Sequence, residues 1–434
     1  MRPTTRVGAS ICLSVFSLVS IVLLLPSTRV STQLQKITLG ATLDDIPSLW
    51  LWGSTEDHGF EVDGVRLVVF GDSWVDDGDD GDDGVTGGTR GTSWAEALCE
   101  EVNCTSHLNF AVSQAIDSYP SSAPTGAITS NVIYASALAT SIPNDTLVNG
   151  VLPDLAAQIQ QFIALPSQST APIETLFIVS FGFWDIYHFA DLDYGLGQNI
   201  TDKTVDELFK QLDILYSHYS QNLSSSHSDG ASNITERSHT PLFRVIIPKL
   251  FEPALLPGWI SQRPVPLSPS SVAESQKNAA YLTSRWNLQV ENKISSWIKD
   301  DPLHLIDTSA KTTEEIAALP IIERDVFYYD LAQYLLDIIV EHQLEDEGLS
   351  DASGLGKGDS PYESVYEACV HDADDSGEDG VDLHGQIVCT DPEVYLFWDS
   401  FNLGSVASEG VGKEVGKMVK QGKSMREMWS RKGS

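Results

Sequence analysis

The chain has 434 residues, and its 61 acidic residues outnumber its 26 basic ones, which gives a formal net charge of -35. Nucleic acids and anionic membrane surfaces repel so acidic a chain, and neither is expected as a partner. The length allows one large α/β domain or two smaller ones.

The N-terminus predicts entry into the secretory route. Basic residues precede an apolar run from Ala9 to Leu25 that Pro26 closes, which is the order found in secretory signals. We assign residues 1–28 to a signal peptide. An uncleaved signal anchor is the alternative, because the run is close to the shortest span that crosses a bilayer. The protein is thus expected to be secreted, or else held at a membrane by this segment only.

A lead-in segment over residues 29–63 precedes an alternation of short apolar runs and longer helical patterns. The predicted strands are Val65–Phe70, Leu108–Val112, Thr175–Phe181, Leu242–Pro248 and Val326–Tyr329. The predicted helices are Ser93–Glu101, Leu152–Leu165, Val205–Leu223, Ser271–Ile298 and Leu331–His342. This order predicts an α/β fold, a three-layer αβα sandwich with a mostly parallel sheet of about five strands. The domain is expected to span residues 64–421, and a basic tail, solvated and frayed at its end, residues 422–434.

Three polar stretches, residues 76–84, 224–240 and 348–380, are predicted insertions in this domain. The carboxylates of the first and third resemble calcium ligands. We favour solvated acidic loops, because Leu383 stands where a calcium loop carries its bidentate glutamate. No metal and no cofactor is therefore expected.

Cysteines and glycosylation sequons agree with an oxidising compartment. Outside the N-terminal run there are four cysteines, for which local pairings, Cys99 with Cys104 and Cys369 with Cys389, are the simplest of three possibilities. Five sequons predict N-glycosylation at Asn103, Asn144, Asn199, Asn222 and Asn233.

One serine follows a predicted buried strand directly. The stretch VVFGDSWVDDG, residues 68–78, places Ser73 at the carboxyl end of the first strand, where open α/β sheets bind their ligands. Taken by itself, Gly-Asp-Ser is a weak motif, because most such triplets are ordinary turns.

Four separate stretches, in the right order, resemble the GDSL or SGNH hydrolase family, especially its secreted fungal and plant esterase branch. They are VVFGDSWVDDG at residues 68–78, NFAVSQA at 109–115, FIVSFGFWD at 177–185 and DPEVYLFWDSFN at 391–402. The resemblance implies that Ser73 is the nucleophile and that Asp399 is the aspartate of the catalytic triad. The implied activity is hydrolysis of acyl esters of carbohydrates or lipids.

Three positions depart from the family pattern. Asn402 stands where the family has its catalytic histidine, Trp184 where it has the oxyanion-hole asparagine, and Gln114 where it has the oxyanion-hole glycine. A carboxamide cannot take the serine proton, and loss of a triad member costs about 10⁴–10⁶ in turnover. An oxyanion hole that loses a side-chain donor loses about 3 kcal/mol. The backbone N–H groups of Ser73 and Gln114 are the donors that this pattern leaves.

Among the ten histidines, His188 is the candidate substitute base, because Asp185 and His188 reproduce an Asp-x-x-His spacing beside the third block. A packing or capping role is the favoured alternative. Four aromatic residues near strand ends are interpreted either as a platform for sugar rings or as core: Trp74, Phe183, Trp184 and Trp398.

Two functions remain open from the sequence. The first is a secreted serine ester hydrolase, with activity reduced or lost. The second is a non-catalytic pseudo-esterase that uses the same scaffold to bind a glycan or a protein partner. Fold resemblance does not decide between them.

Overall fold

A computed structural model describes residues 64–77, 90–113, 126–141, 152–166, 174–226, 242–261, 269–300, 322–347, 360–372 and 386–432. All of them belong to one compact unit, residues 60–434, and the first unit of the chain, residues 1–59, lies outside the described ranges. The predicted signal segment and lead-in therefore lie outside them as well.

A five-stranded, all-parallel sheet forms the centre of the described unit, as predicted. Its spatial order is β2-β1-β3-β4-β5. The central strands are apolar and buried on both faces, as parallel sheets covered by helices require. The strands are β1 (Val65–Gly71), β2 (Ser106–Asn109), β3 (Glu174–Ser180), β4 (Leu242–Pro248) and β5 (Glu323–Tyr329).

Helices flank the sheet in two groups, consistent with a three-layer sandwich. They are α1 (Trp94–Glu101), α2 (Asn131–Ser141), α3 (Leu155–Ile163), α4 (Phe183–Phe189), α5 (Tyr194–Ser226), α6 (Gly258–Ser261), α7 (Pro269–Trp297), α8 (Leu331–Asp346), α9 (Ser405–Lys420) and α10 (Met425–Lys432). Helix α1 packs on α9, while α5 packs on both α3 and α7. The predicted fold class is thus confirmed.

The C-terminal part adds two small sheets that sequence analysis did not predict. Strands β6 (Ser364–Ala368) and β9 (Tyr395–Phe397) pair in parallel, and β7 (Val370–Asp372) and β8 (Gln386–Val388) pair antiparallel. Residues 348–380 were expected to be a polar insertion, but β6 and β7 lie inside that range. Val365 and Cys369 are buried there, and β6 pairs with β9 through Ser364 and Ala368.

Both local disulfides predicted from cysteine spacing are present. Cys99 bonds Cys104 at the end of α1, and Cys369 bonds Cys389 beside the β7–β8 pair. Such bonds are typical of proteins that fold in an oxidising compartment.

Several boundaries differ from the sequence prediction. Strand β2 begins at Ser106 and ends at Asn109, earlier than the predicted Leu108–Val112, and Asn109 is still paired with Val69 of β1. The basic tail contains α10. Met425 is buried and Arg426 forms an ion pair with Glu323, which ties α10 to β5.

No helix within the described ranges has both the length and the apolar character needed to cross a bilayer.

Replacement of Gly412 tests the packing of α9 on α1. A Cβ atom at Gly412 would lie 2.6 Å from Ala97 Cβ and 2.8 Å from Trp94 O. We expect Gly412→Ala to lower the free energy of unfolding by about 1–3 kcal/mol, because the two backbones must separate. Gly195→Ala is the matched control, since its Cβ approaches only Asp193 Oδ1, at 3.4 Å. Equal stabilities of the two variants in guanidinium chloride unfolding would contradict this packing.

Candidate active site

The candidate site lies at the carboxyl edge of the sheet. Strands β1 and β3 are paired in parallel up to Gly71 and Ser180, so the turns that follow them emerge side by side. The first turn carries Ser73, and the second leads into α4, which carries Trp184. Two distant parts of the sequence therefore meet at one edge.

The turn after β1 is closed by local hydrogen bonds. Val75 N and Asp76 N both donate to Asp72 O at 3.2 Å, and Trp74 N donates to Asp72 Oδ1 at 3.1 Å. Gly71 is required at the strand end, because a Cβ there would lie 2.2 Å from Val75 Cγ2 and 2.9 Å from Ser180 O. The turn thereby holds Ser73 in a fixed position.

A buried glutamine anchors the end of β1 from the opposite side. Gln158, on α3, accepts from Gly71 N and donates to Gly71 O, both at 2.8 Å. Its amide satisfies backbone groups of the last residue of β1, beyond the end of β2.

Ser73 is buried, and its hydroxyl receives a hydrogen bond from an indole. Ser73 is 4% exposed, and Trp184 Nε1 donates to its Oγ at 3.3 Å. Arg90 Nη2 donates to the Ser73 carbonyl oxygen at 2.6 Å. The structure thus brings Ser73 and Trp184, two of the predicted site residues, into direct contact.

Gly126 is a site residue that sequence analysis missed. A Cβ atom at Gly126 would lie 1.7 Å from Trp184 Nε1, so only glycine leaves space for the indole. Gly126 forms an isolated antiparallel bridge with Ser113, the residue before Gln114. Gln114, which sequence analysis assigned to the oxyanion hole, lies outside the described residues. No short motif links Gly126 to the second block, so only the fold reveals it.

Asp399 and Asn402 form a tight pair. Asp399 Oδ1 accepts from Phe401 N and from Asn402 N, each at 2.8 Å, and Asp399 Oδ2 accepts from Asn402 Nδ2 at 2.7 Å. Asn402 Oδ1 is buried and has no hydrogen-bond partner within the described part of the chain. The amide of Asn402 therefore binds the carboxylate that an imidazole would need.

Arg90 is a second residue that sequence analysis missed. It interacts with both Ser73 and Asp399. Burial lowers the pKa of its guanidinium, while Asp399, Asp76, Asp72 and Asp77, in decreasing order, raise it. The same guanidinium therefore donates a hydrogen bond to the Ser73 carbonyl oxygen and attracts the carboxylate of Asp399.

Asp72 is a buried carboxyl group next to the serine. Burial raises its pKa from the ordinary value of 3.8 to about 8, although the hydrogen bond from Trp74 N opposes the shift. Its Oδ2 has no hydrogen-bond partner within the described ranges. Asp72 is therefore mainly protonated at neutral pH.

Asp185 ties the segment that carries Gly126 to α4. Its Oδ2 accepts from Thr129 N at 3.0 Å and from Thr129 Oγ1 at 2.8 Å. Burial raises the pKa of Asp185 to about 6, and the bonds from Thr129 oppose this rise. Asp185 thus holds Gly126 against Trp184 indirectly, through Thr129.

His188 lies on α4, three residues after Asp185. Its ring packs 5.1 Å from the ring of Tyr134 and 5.6 Å from that of Tyr187. These contacts fit the packing alternative, and a role as substitute base stays a prediction.

The aromatic residues proposed as a sugar platform are mostly buried. Trp74 packs 5.3 Å from Phe183, and Trp184 packs 5.0 Å from Phe401. Their faces are covered by these neighbours, which fits core packing. Trp398 is only half-buried, although it was interpreted as core.

The acidic stretch after Ser73 begins with two engaged carboxylates. Asp76 Oδ2 accepts from Ser113 N at 2.9 Å, and Asp77 Oδ1 accepts from Ser93 Oγ at 2.7 Å. Within the described ranges no group of three His, Cys, Asp or Glu residues is arranged to hold a metal ion.

Two of the predicted glycosylation sites have exposed asparagines in the structure. Asn103 lies in the turn after α1 and has a left-handed φ of 50°, and Asn199 lies on α5. Asn222 lies further along α5, whereas Asn144 and Asn233 lie outside the described residues.

Comparison with protein-family models finds no match, and comparison with curated proteins finds none either. The resemblance of the four stretches therefore remains a prediction from the residues themselves.

Replacement of Asp72 tests its protonation. Between about pH 4 and pH 8 the folded chain holds one proton more than the unfolded chain at this group, so stability falls as pH rises, by up to about 1.4 kcal/mol per pH unit. We expect Asp72→Asn, which has the same shape but no such proton, to remove this slope and to be more stable than the wild type at pH 8. Guanidinium chloride unfolding of both proteins between about pH 4 and pH 8 measures the slope of the unfolding free energy with pH.

Asp391→Asn, which alters an exposed carboxyl group, is the matched control and should leave the slope unchanged. An Asp72→Asn variant with the wild-type slope would show that Asp72 is ionised in the folded protein.

Proposed function

We propose that this chain is a secreted ester hydrolase-like protein of the GDSL/SGNH type, in which hydrolysis is strongly reduced or lost. The observation that carries the proposal is the 2.7 Å hydrogen bond between Asn402 Nδ2 and Asp399 Oδ2. In this bond the Asn402 amide binds the Asp399 carboxylate, which in the family pattern would bind the imidazole of the catalytic histidine.

The chemistry of an amide explains the expected loss. In a serine hydrolase the imidazole donates to the carboxylate from one nitrogen and takes the serine proton on the other. Asn402 reproduces the first of these roles, because Nδ2 donates to Asp399. It cannot perform the second, because an amide oxygen has no useful basicity near neutral pH.

The remaining parts of a hydrolase site support the scaffold assignment. Ser73 follows a central parallel strand, and Asp399 lies close enough to Arg90 for their charges to attract, while Arg90 binds the Ser73 carbonyl. Acyl esters of carbohydrates or lipids are the ligand class that the resemblance implies. Secretion is supported by the apolar N-terminal run, the sequons and the two disulfides.

A non-catalytic pseudo-esterase is the second candidate, and the burial of Ser73 favours it over an efficient enzyme. Ser73 is only 4% exposed, so little of the residue is in contact with solvent. The buried faces of Trp74 and Trp184 argue against sugar stacking at this site.

Restoration of the imidazole tests the proposal. We expect the wild type to hydrolyse p-nitrophenyl acetate no faster than Ser73→Ala, and Asn402→His to gain at least tenfold in turnover that Ser73→Ala then abolishes. The gain has a physical reason, because Nδ1 of histidine and Nδ2 of asparagine are the same number of bonds from Cα. Histidine can therefore keep the bond to Asp399 and present its second nitrogen beyond it.

Asn402→Gln is the matched control, since it changes reach without adding basicity and should stay inactive. Wild-type turnover that depends on Ser73 and survives Asn402→Ala would refute the proposed loss of activity and direct attention to His188.

A further inference from the structure

The indole of Trp184 is a hydrogen-bond donor aimed at the serine oxygen. Its Nε1 lies 3.3 Å from Ser73 Oγ, and an indole nitrogen donates but never accepts. Sequence analysis expected the tryptophan to remove a donor from this position. The structure places an N–H group there instead.

The position of this N–H group is fixed by its surroundings. Trp184 is 2% exposed, and its ring packs 5.0 Å from Phe401 and 5.3 Å from Tyr187. Gly126 leaves the space in which Nε1 lies. A donor held in place before the reaction needs no reorganisation when charge develops, which is the property of an effective oxyanion donor.

We propose that Trp184 is a catalytic residue of this scaffold, which binds the oxyanion of a tetrahedral adduct at Ser73 through its indole N–H; the proposal rests on the hydrolase-like site described above. When Ser73 Oγ bonds to the carbonyl carbon of an ester, the π-electron pair of the C=O bond moves onto the oxygen. Trp184 Nε1–H donates to that oxygen, and the hydroxyl proton passes to water in the wild type or to the imidazole in the Asn402→His variant. Asn402 itself does not accept the proton, so the wild-type chain keeps the oxyanion donor without the family's base.

The contrary interpretation is that the indole only fills the site and must leave before a ligand enters. The two interpretations differ in the effect of Trp184→Phe, which keeps an aromatic ring and removes only the N–H group. Loss of the donor slows a reaction that uses it, whereas a smaller ring speeds a reaction that the indole blocks.

The kinetic test uses the full chain with Asn402→His as the background. We expect Trp184→Phe to lower its kcat for p-nitrophenyl acetate by about 10²–10³ while KM changes little. Trp94→Phe is the matched control, because Trp94 is buried on α1 and its Nε1 has no hydrogen-bond partner among the described residues. An unchanged or faster Trp184→Phe variant would overturn the assignment.

A binding measurement on the wild type does not depend on turnover. Phenylboronic acid forms a tetrahedral adduct when a serine oxygen bonds to boron, and the hydroxyl proton is released to water. In protein with ¹⁵N-labelled indoles, the resonance absent from Trp184→Phe belongs to Trp184. We expect it to shift on addition of phenylboronic acid, but not in Ser73→Ala. No shift at a saturating concentration of the boronic acid overturns the proposal.

The two proposals fail in different ways. If the wild type hydrolyses ester through Ser73, the proposed loss of activity is wrong, and Trp184→Phe is then measured directly in the wild type. If Asn402→His gains no activity, the boronic acid titration decides whether Trp184 binds the adduct.

Discussion

Parallel pairing of β1 with β3 is the constraint on which the candidate site depends. In a parallel pair both strands end at the same edge, so Gly71 and Ser180 lie side by side and each begins a turn there. Ser73 and Trp184 follow these ends within a few residues and meet through a hydrogen bond. With antiparallel pairing the same two residues would lie at opposite ends of the sheet. The chemistry of the site therefore follows from the direction of its strands.

Two hydrogen bonds then define what the site can do. Trp184 Nε1 donates to Ser73 Oγ, and Asn402 Nδ2 donates to Asp399 Oδ2. Each preserves the position of a donor that a serine hydrolase uses, but neither provides a proton acceptor for the serine. Under the proposed function, the site would bind negative charge on a ligand oxygen without removing the hydroxyl proton, which suits binding better than turnover.

Much of the fold was predictable because the apolar runs are short, branched and separated by helical spacing. Strands β1, β3, β4 and β5 follow those runs closely. Strand β2 was misplaced because it is a half-buried edge strand that begins with Ser106 and His107, which carry no apolar signal. Helix α2 was missed because residues 131–141 carry no charge and no clear polar face, so their pattern shows no helical period.

The candidate site was predictable only in part, for a similar reason. Ser73, Asp399 and the departures at Trp184 and Asn402 lie in recognisable stretches of sequence. Gly126 and Arg90 do not, because both lie outside those stretches and outside the predicted strands and helices. The direction of the Trp184 N–H group depends on packing against Gly126 and Phe401, which no local pattern encodes.

The pH dependence of fluorophosphonate labelling at Ser73 tests the central claim most directly, because an activated serine reacts with this probe in proportion to its unprotonated base. A serine without a proton acceptor should be labelled no faster than the background seen with Ser73→Ala, at every pH between about 5 and 9. Labelling of Ser73 that rises with an apparent pKa of about 6–7 would show that a titrating base, either a histidine or a buried carboxyl group such as Asp185, activates the serine, and would contradict it.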